Sequence, residues 1–217
     1  AGVANIAIEG LMLGAAMTST LVGTVSGNLW VGLLAGMATG GLLAAIHAVL
    51  SIHYKVDQII SGTVINIFAA GTTSYISSLF MQRMTDQLNN PGTFRNIVIP
   101  GLVDIPVLGR VLFENTIFTY AMFALLFIIH IALFYSRWGL RVRAVGENPK
   151  AADTLGINVF RPRYIAVILG GLVAGIGGAS FTLGAVGRFD ENMTAGKGFI
   201  GLAAMIFGNW SPFGAFG

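Results

Sequence analysis

Residues 29–50, LWVGLLAGMATGGLLAAIHAVL, contain no Asp, Glu, Lys or Arg. A helix rises about 1.5 Å per residue, so roughly 20 apolar residues cross a hydrocarbon layer about 30 Å thick. Small residues recur here at every fourth position: Gly32, Gly36, Gly40, Ala44 and Ala48. Residues four apart share one face of a helix, and small side chains on that face let another helix approach closely. The stretch therefore predicts a membrane-spanning helix packed tightly against its neighbours.

The rest of the chain has the same apolar character. It is 55% hydrophobic and 10% charged, whereas about a quarter of the residues of an ordinary soluble domain are charged. Further apolar runs predict spans at roughly 8–26, 58–80, 115–136 and 164–186. We expect residues 1–217 to form one all-α polytopic transmembrane helix bundle. The chain opens on AGVANIAIEG without a Met or a basic leader, so we also expect an internal fragment, incomplete at both ends.

A sixth membrane segment begins near residue 198. Its sequence, GFIGLAAMIFGNW, has too few apolar residues before Asn209 and Pro212 to cross a bilayer alone. A broken or re-entrant helix of this kind is tolerated where protein or a watery cavity covers it. The prediction is therefore a bundle of about six membrane segments, of which the sixth is interrupted.

The basic residues indicate how the bundle is oriented. Half of the 12 lie between residues 137 and 163: Arg137, Arg141, Arg143, Lys150, Arg161 and Arg163. Cytoplasmic loops carry an excess of Lys and Arg, so we place 137–163 in the cytoplasm. The loops 81–114 and 187–197 then lie outside, and in each of them the basic and acidic residues balance. Three prolines in 81–114 predict short segments at the membrane surface.

Several kinds of chemistry are excluded by the residues present. The chain has no cysteine, which excludes disulfides and thiolate chemistry. It has no phosphate-binding loop of the G-x-x-x-x-G-K-[ST] type, no metal-ligand spacing among its three histidines and no G-x-S-x-G elbow. Its basic residues lie between apolar runs, where membrane orientation explains them without nucleic acid. We therefore predict no catalytic residue, no metal, no cofactor and no nucleic-acid partner.

The basic loop contains a short helix signal. Asn148 and Pro149 form a turn, Pro149 suits the first position of a helix, and Gly156 closes the helix-forming run that follows. Two interpretations remain open. The loop is either a plain cytoplasmic connection whose arginines reach the lipid headgroups, which spacing alone favours, or a docking helix for a soluble partner.

A resemblance favours docking. RAVGENPKAADTLGINV at 143–159 is similar to the coupling-helix segment of permease subunits of ATP-binding-cassette importers, in the branch that serves simple sugars, branched-chain amino acids and nucleosides. Four further pieces agree: NIAIEGLMLGA at 5–15, DQIISGTVIN at 57–66, IPVLG at 105–109 and MTAGKGFIGLAAMIFGNWSPFGA at 193–215. The forms N-I-x-I-E-G and M-T-A-G-x-G-F-I resemble most the nucleoside permeases, with sugar and riboflavin systems close by.

The resemblance implies a multi-pass subunit of the plasma membrane that imports a small polar solute by alternating access. Its partners would be two cytoplasmic ATPases, which hydrolyse the ATP, a second permease and an external substrate-binding lipoprotein. The coupling residues would be Arg143, Glu147, Asn148, Pro149, Ala151, Ala152, Leu155 and Gly156. Among them Asn148 and Pro149 would begin the helix, and Ala151, Ala152 and Leu155 would offer its packing face to the ATPase.

Polar residues that are costly in lipid are candidates for the substrate path. They are Asn5, Glu9, Ser61, Thr63 and Asn66, with Phe68 or Phe181 available for stacking. Thr63 and Asn66 are three residues apart, which predicts one shared side of the helix. Two of these candidates have an alternative role: Asn66 could make an interhelical hydrogen bond, and Glu9 could lie at the inner interface or bond to backbone where a helix breaks.

Loop 187–197 is a candidate outer gate or else an ordinary connection. In a gate, Gly196 and Gly198 around Lys197 would let the backbone bend, and Met193 and Phe199 would supply apolar closure. A channel or an ion-coupled secondary transporter is the competing class. It should carry several acidic residues within its spans, yet only Glu9 and the edge residue Asp57 qualify. His47 and His130 are expected to pack near the ends of their spans and not to carry protons.

Overall fold

The computed structural model describes residues 2–98 and 113–216. Its α-helices are α1 Ile8–Ser26, α2 Leu29–Ala48, α3 Gln58–Ile76, α4 Thr85–Leu88, α5 Ile117–Phe134, α6 Arg137–Glu147, α7 Pro149–Thr154, α8 Phe160–Ala179, α9 Lys197–Phe207 and α10 Pro212–Phe216. Two short strands, β1 Ile97–Val98 and β2 Glu114–Asn115, pair antiparallel. The all-α prediction is confirmed apart from this strand pair. The IPVLG motif at 105–109 lies outside the described residues.

Within residues 2–98 and 113–216, five helical segments are long and apolar enough to cross a membrane. They are Ile8–Ser26, Leu29–His53, Gln58–Met81, Ile117–Phe134 and Phe160–Val186. Three of them are extended by π-helical turns, at Val49–His53, Ser77–Met81 and Ser180–Val186. The predicted spans agree with these segments within a few residues, because long apolar runs are the least ambiguous pattern in a sequence.

Helices α1, α2 and α8 form the tightly packed centre of the bundle. A Cβ atom added to Gly32 of α2 would lie 2.6 Å from the carbonyl oxygen of Ser19 in α1. One added to Gly175 of α8 would lie 2.7 Å from the carbonyl oxygen of Gly36. These backbones touch, so no larger residue fits. The predicted close approach along the small-residue face of α2 is confirmed.

The sixth segment is interrupted, as predicted. Helix α9 spans Lys197–Phe207, and the chain then turns through Asn209 and Trp210, whose φ angles are 50° and 59°. These left-handed conformations stop the helix, since they are strained for residues other than glycine. Pro212 begins α10, where its missing N–H costs nothing.

Residues 187–196 do not simply connect α8 to α9. Phe189 is almost fully buried and packs with Leu13, Met17 and Met81. Its backbone N–H donates to Oδ1 of Asn89 at 2.7 Å, and its carbonyl oxygen accepts from Nδ2 of the same residue at 3.0 Å. The segment therefore folds back along α1 and delivers the start of α9 to the beginning of that helix.

The basic loop contains one more helix than its sequence predicts. Helix α6 precedes the short helix α7 and buries Val142 and Val145, while its arginines are exposed. Ser136 begins it by accepting the backbone N–H of Gly139 at 2.9 Å. The prediction overlooked α6, although Trp138, Val142 and Val145 recur at helical spacing among its basic residues. Helix α6 packs on both α5 and α8, so it links α7 to two membrane segments.

Candidate functional site

The carboxylate of Glu9 holds the fold-back segment. Its Oε1 accepts from the hydroxyl of Thr194 at 2.6 Å and from the backbone N–H of Gly196 at 2.8 Å. Its Oε2 accepts from the backbone N–H of Gly198 at 2.7 Å. The first N–H groups of a helix have no partner within the helix and carry partial positive charge. Glu9 therefore supplies an anionic cap to α9 from a different helix.

The sequence TAGKG gives this turn its shape. Ala195 and Gly196 adopt φ angles of 44° and 81°, so consecutive left-handed residues turn the backbone N–H groups toward α1. A Cβ atom at Gly198 would lie 2.6 Å from the backbone nitrogen of Glu9. Glycine is therefore required at 198 for the close approach. Of the interpretations open for Glu9, bonding to backbone where a helix breaks is confirmed, and its oxygens are occupied by protein donors.

Asn66 plays a similar part at the start of α1. Its Oδ1 accepts the backbone N–H of Gly10 at 2.8 Å, and its Nδ2 donates to the carbonyl oxygen of Ile6 at 2.9 Å. The interhelical hydrogen bond considered for Asn66 is thus confirmed. Thr63, expected on the same side of α3, is exposed while Asn66 is partly buried against α1. The structure does not bring these two side chains to a common partner.

Ser61 and His47 form a buried pair at the ends of α3 and α2. Nδ1 of His47 lies 3.0 Å from Oγ of Ser61, and Nε2 lies 3.3 Å from the carbonyl oxygen of Ala4. Both side chains are closed off from the surface, so Ser61 is not open to a solute in this conformation, and its place in the path stays a prediction. His47 packs as expected. His130 also packs, with its ring centroid 4.7 Å from that of Phe213.

The six path candidates therefore separate into two groups. Asn5, whose Oδ1 accepts the backbone N–H of Ala7 at 3.1 Å, joins Glu9, Ser61 and Asn66 in a polar network around the start of α1. Thr63 and Phe68 are exposed on α3, Phe68 by 60%. This second group is the most open to a solute, whereas Asn5 and Asn66 are partly buried and Glu9 and Ser61 are buried. Sequence reasoning missed Thr194 and Gly198 as partners of Glu9, because they lie 185 and 189 residues away along the chain.

The three gate candidates occupy different surroundings. Met193 packs partly buried against the cluster around Phe189. Phe199 is exposed on α9. Lys197 is exposed as well, and its Nζ lies 4.9 Å from the centroid of the Phe181 ring. The structure therefore pairs Lys197 with Phe181, a residue that the sequence indicated only as a possible stacking surface.

The short helix α7 begins and ends as predicted. Oδ1 of Asn148 accepts the backbone N–H of Ala151 at 3.0 Å, Pro149 is the first helical residue, and Gly156 has a φ angle of 75°. Leu155 is 80% exposed, whereas Ala152 is 3% exposed. The prediction that Ala152 belongs to an outward packing face is therefore wrong, because other residues of this chain cover it.

The remaining coupling candidates flank this helix. Ala151 is exposed on α7, and Glu147, the last residue of α6, is exposed too. Arg143 lies with its guanidinium carbon 4.9 Å from the centroid of the Phe134 ring. Within residues 2–98 and 113–216, no three His, Asp or Glu side chains come together to hold a metal ion.

Comparison with known proteins adds a family to this geometry. Residues 1–216 match the family described as branched-chain amino acid transport system / permease component. The guanosine ABC transporter permease protein NupQ of Bacillus subtilis is 44% identical, over 100% of this chain and 70% of its own length. The nucleoside ABC transporter permease protein NupC of Lactococcus lactis is 37% identical, over 99% and 69%. The putative glucose ABC transporter permease protein TsgC13 of Haloferax volcanii is 38% identical, over 98% and 64%. No solved structure matches the chain.

Proposed function

This chain belongs to the family of branched-chain amino acid transport system permease components, and we propose that it is the subunit through which nucleosides cross the membrane in an ATP-driven importer. As a permease it is a multi-pass membrane protein, and it is a transport component and not an enzyme. The observation that carries the choice of nucleoside is similarity along the whole chain to a guanosine permease and a nucleoside permease. A simple sugar is the second candidate, because a putative glucose permease is similarly close.

In the importer we propose, this chain has four kinds of partner. Two cytoplasmic ATPases supply the energy, a second permease completes the pathway, an external binding protein delivers the solute, and the lipid bilayer covers the outer helices. The membrane is the plasma membrane, with 137–163 in the cytoplasm and 81–114 outside. The basic residues exposed on α6 support this orientation, since such residues are retained on the cytoplasmic side.

Helix α7 is the proposed contact with the ATPase. Its ends are fixed by Asn148 and Gly156, and it presents Ala151 and Leu155 to the exterior. Movement of the ATPases would push on α7. Because α6 packs against α7, α5 and α8, the push would reach two membrane segments as a rigid-body tilt. Such a tilt is one of the standard ways to expose a pathway alternately to the two sides.

The proposed pathway lies between this chain and the second permease. Thr63 and Phe68 of α3, with Lys197 and Phe199 of α9, are exposed on this chain. They provide a hydroxyl, an ammonium and two aromatic rings. A nucleoside needs hydrogen-bonding partners for its hydroxyls and ring nitrogens and a flat surface for its base, and these side chains offer both.

The test is uptake by membrane vesicles that contain the assembled importer. Labelled guanosine, glucose and riboflavin are supplied separately, with and without ATP on the side of the membrane where the ATPases lie. We expect ATP-dependent accumulation of guanosine, which is lost when residues 147–156 are replaced by a flexible linker. Accumulation that ignores ATP and follows an ion gradient would instead establish a secondary transporter. Accumulation of glucose alone would replace nucleoside by sugar as the solute.

A further inference from the structure

Lys197 is placed where a lysine is unfavourable for stability. It is the first residue of α9, so its positive charge lies at the positive end of the helix dipole. The residues that follow it in α9 are apolar, and charged side chains in membrane segments are costly and are generally functional. Among the described residues, the negative charge of Glu9 nearby offsets part of these costs, but the carboxylate bonds to Thr194, Gly196 and Gly198 and makes no ion pair with the ammonium. The position therefore points to a role in binding.

The ammonium of Lys197 has no anionic partner within the described part of the chain. The single ion pair found there joins Arg188 and Asp190. Glu9 is held by the residues on either side of Lys197, but its oxygens already accept from Thr194, Gly196 and Gly198. The ammonium lies over the ring of Phe181, 4.9 Å from its centroid. Its three N–H donors remain available.

Both members of this pair stand on well-fixed backbone. Phe181 belongs to the π-helical turn Ser180–Val186, and wide turns of this type are frequent at functional sites. The next residue, Thr182, is buried and lies with its Oγ1 3.0 Å from Oγ of Ser19. The Glu9 cap fixes the backbone around Lys197. The backbone that carries both side chains is therefore fixed.

We propose that Lys197 and Phe181 form the subsite that recognises the base of an oxopurine nucleoside, and this deepens the nucleoside import proposed above. The base stacks on Phe181, and the ammonium moves from the ring face to the edge of the base. An ammonium has donors and no acceptor. Guanine and hypoxanthine present two acceptors, O6 and N7, on one edge, whereas adenine places an amino donor beside N7. The subsite therefore favours guanosine and inosine over adenosine.

The test compares variants of this subsite in the assembled importer. Initial rates of ATP-dependent uptake of guanosine and adenosine are measured with Lys197→Met, Lys197→Arg and Phe181→Leu. Lys197→Met should lower kcat/KM for guanosine about tenfold or more and change that for adenosine much less. Lys197→Arg keeps the cation and its donors, so it should retain the preference. Phe181→Leu should lower uptake of both nucleosides, because stacking does not distinguish bases.

Phe207→Leu is the matched control, since Phe207 is 89% exposed at the far end of α9. It should leave the ratio of guanosine to adenosine uptake unchanged. The proposal is overturned if Lys197→Met lowers uptake of both nucleosides equally, or if Lys197→Arg loses the preference as fully as Lys197→Met. A parent importer that takes up no nucleoside would instead overturn the proposed function. If the importer takes up nucleosides but Lys197→Met leaves the ratio of guanosine to adenosine uptake unchanged, the proposed subsite is overturned and the proposed function stands.

Discussion

Replacing Glu9 by glutamine should loosen the turn that leads into α9. Oε1 of Glu9 accepts two hydrogen bonds and Oε2 accepts one. Glutamine keeps a carbonyl oxygen for two donors but presents an amide N–H to the backbone N–H of Gly198, so donor faces donor. Hydrogen bonds to charged groups contribute about 1.5–3 kcal/mol, and a buried donor without an acceptor costs about 1–3 kcal/mol. We expect the free energy that holds the turn against α1 to fall by about 3 kcal/mol, which would raise the population of the detached turn about a hundredfold.

Because residues 1–217 contain no cysteine, one cysteine introduced at Met193 can report on the turn. Met193 is partly buried against the cluster around Phe189, so a thiol there becomes more accessible when the turn detaches. The rate at which a membrane-impermeant maleimide modifies this cysteine should rise strongly in Glu9→Gln, and nucleoside uptake should fall with it. Glu191→Gln is the control: Glu191 is exposed and accepts from Ser74 and Gln82 at 3.0 and 3.1 Å. Equal modification rates in Glu9→Gln and in the parent would refute the capping role of the carboxylate.

Three further substitutions test the bundle and the coupling helix. Gly171→Ala should destabilise the bundle by about 1–3 kcal/mol in a thermal unfolding assay, because the new Cβ would lie 2.6 Å from the carbonyl oxygen of Gly40 in the facing helix. Gly170→Ala is the control: a Cβ there would have no neighbour within 4 Å, so the variant should be neutral or slightly stabilising. Asn66→Ala removes two hydrogen bonds to the start of α1 and should cost about 2 kcal/mol in the same assay, whereas Thr63→Ala should leave the unfolding temperature unchanged. Leu155→Ala should lower transport-stimulated ATP hydrolysis without lowering the unfolding temperature, since its side chain is 80% exposed; a drop in unfolding temperature would show that it packs inside the permease.

The membrane segments were predictable because their signal is local. A long apolar run is visible without any partner, and the four-residue spacing of glycines in α2 identifies the packing face before the facing helix is known. The beginning and end of α7 are also local, since Asn148, Pro149 and Gly156 act on neighbouring backbone. Helix α6 was also visible locally, since Trp138, Val142 and Val145 recur at helical spacing, but the prediction missed it because membrane orientation alone accounts for its basic residues.

The polar network was not predictable in the same way. The sequence indicated Glu9, Ser61 and Asn66 as costly in lipid, which is correct, but not what satisfies them. Ser61 bonds to a histidine of α2, and Asn66 and Glu9 bond to backbone of other segments. A buried polar group must find a partner, and sequence alone does not reveal whether that partner is a solute or the protein. Here the protein supplies it in all three cases.

The neighbouring charges Glu9 and Lys197 illustrate how this chain makes a charged binding group tolerable in lipid. Opposite charges attract even without a direct contact, most strongly where the dielectric constant is low. Lys197 stands between the two residues whose N–H groups bind the carboxylate, so the pair is electrically neutral as a unit. The carboxylate accepts three hydrogen bonds from N–H and hydroxyl donors and none from the ammonium, so the donors of Lys197 are not used by Glu9. A direct ion pair would lower the energy further but would leave Lys197 with fewer donors to offer a ligand.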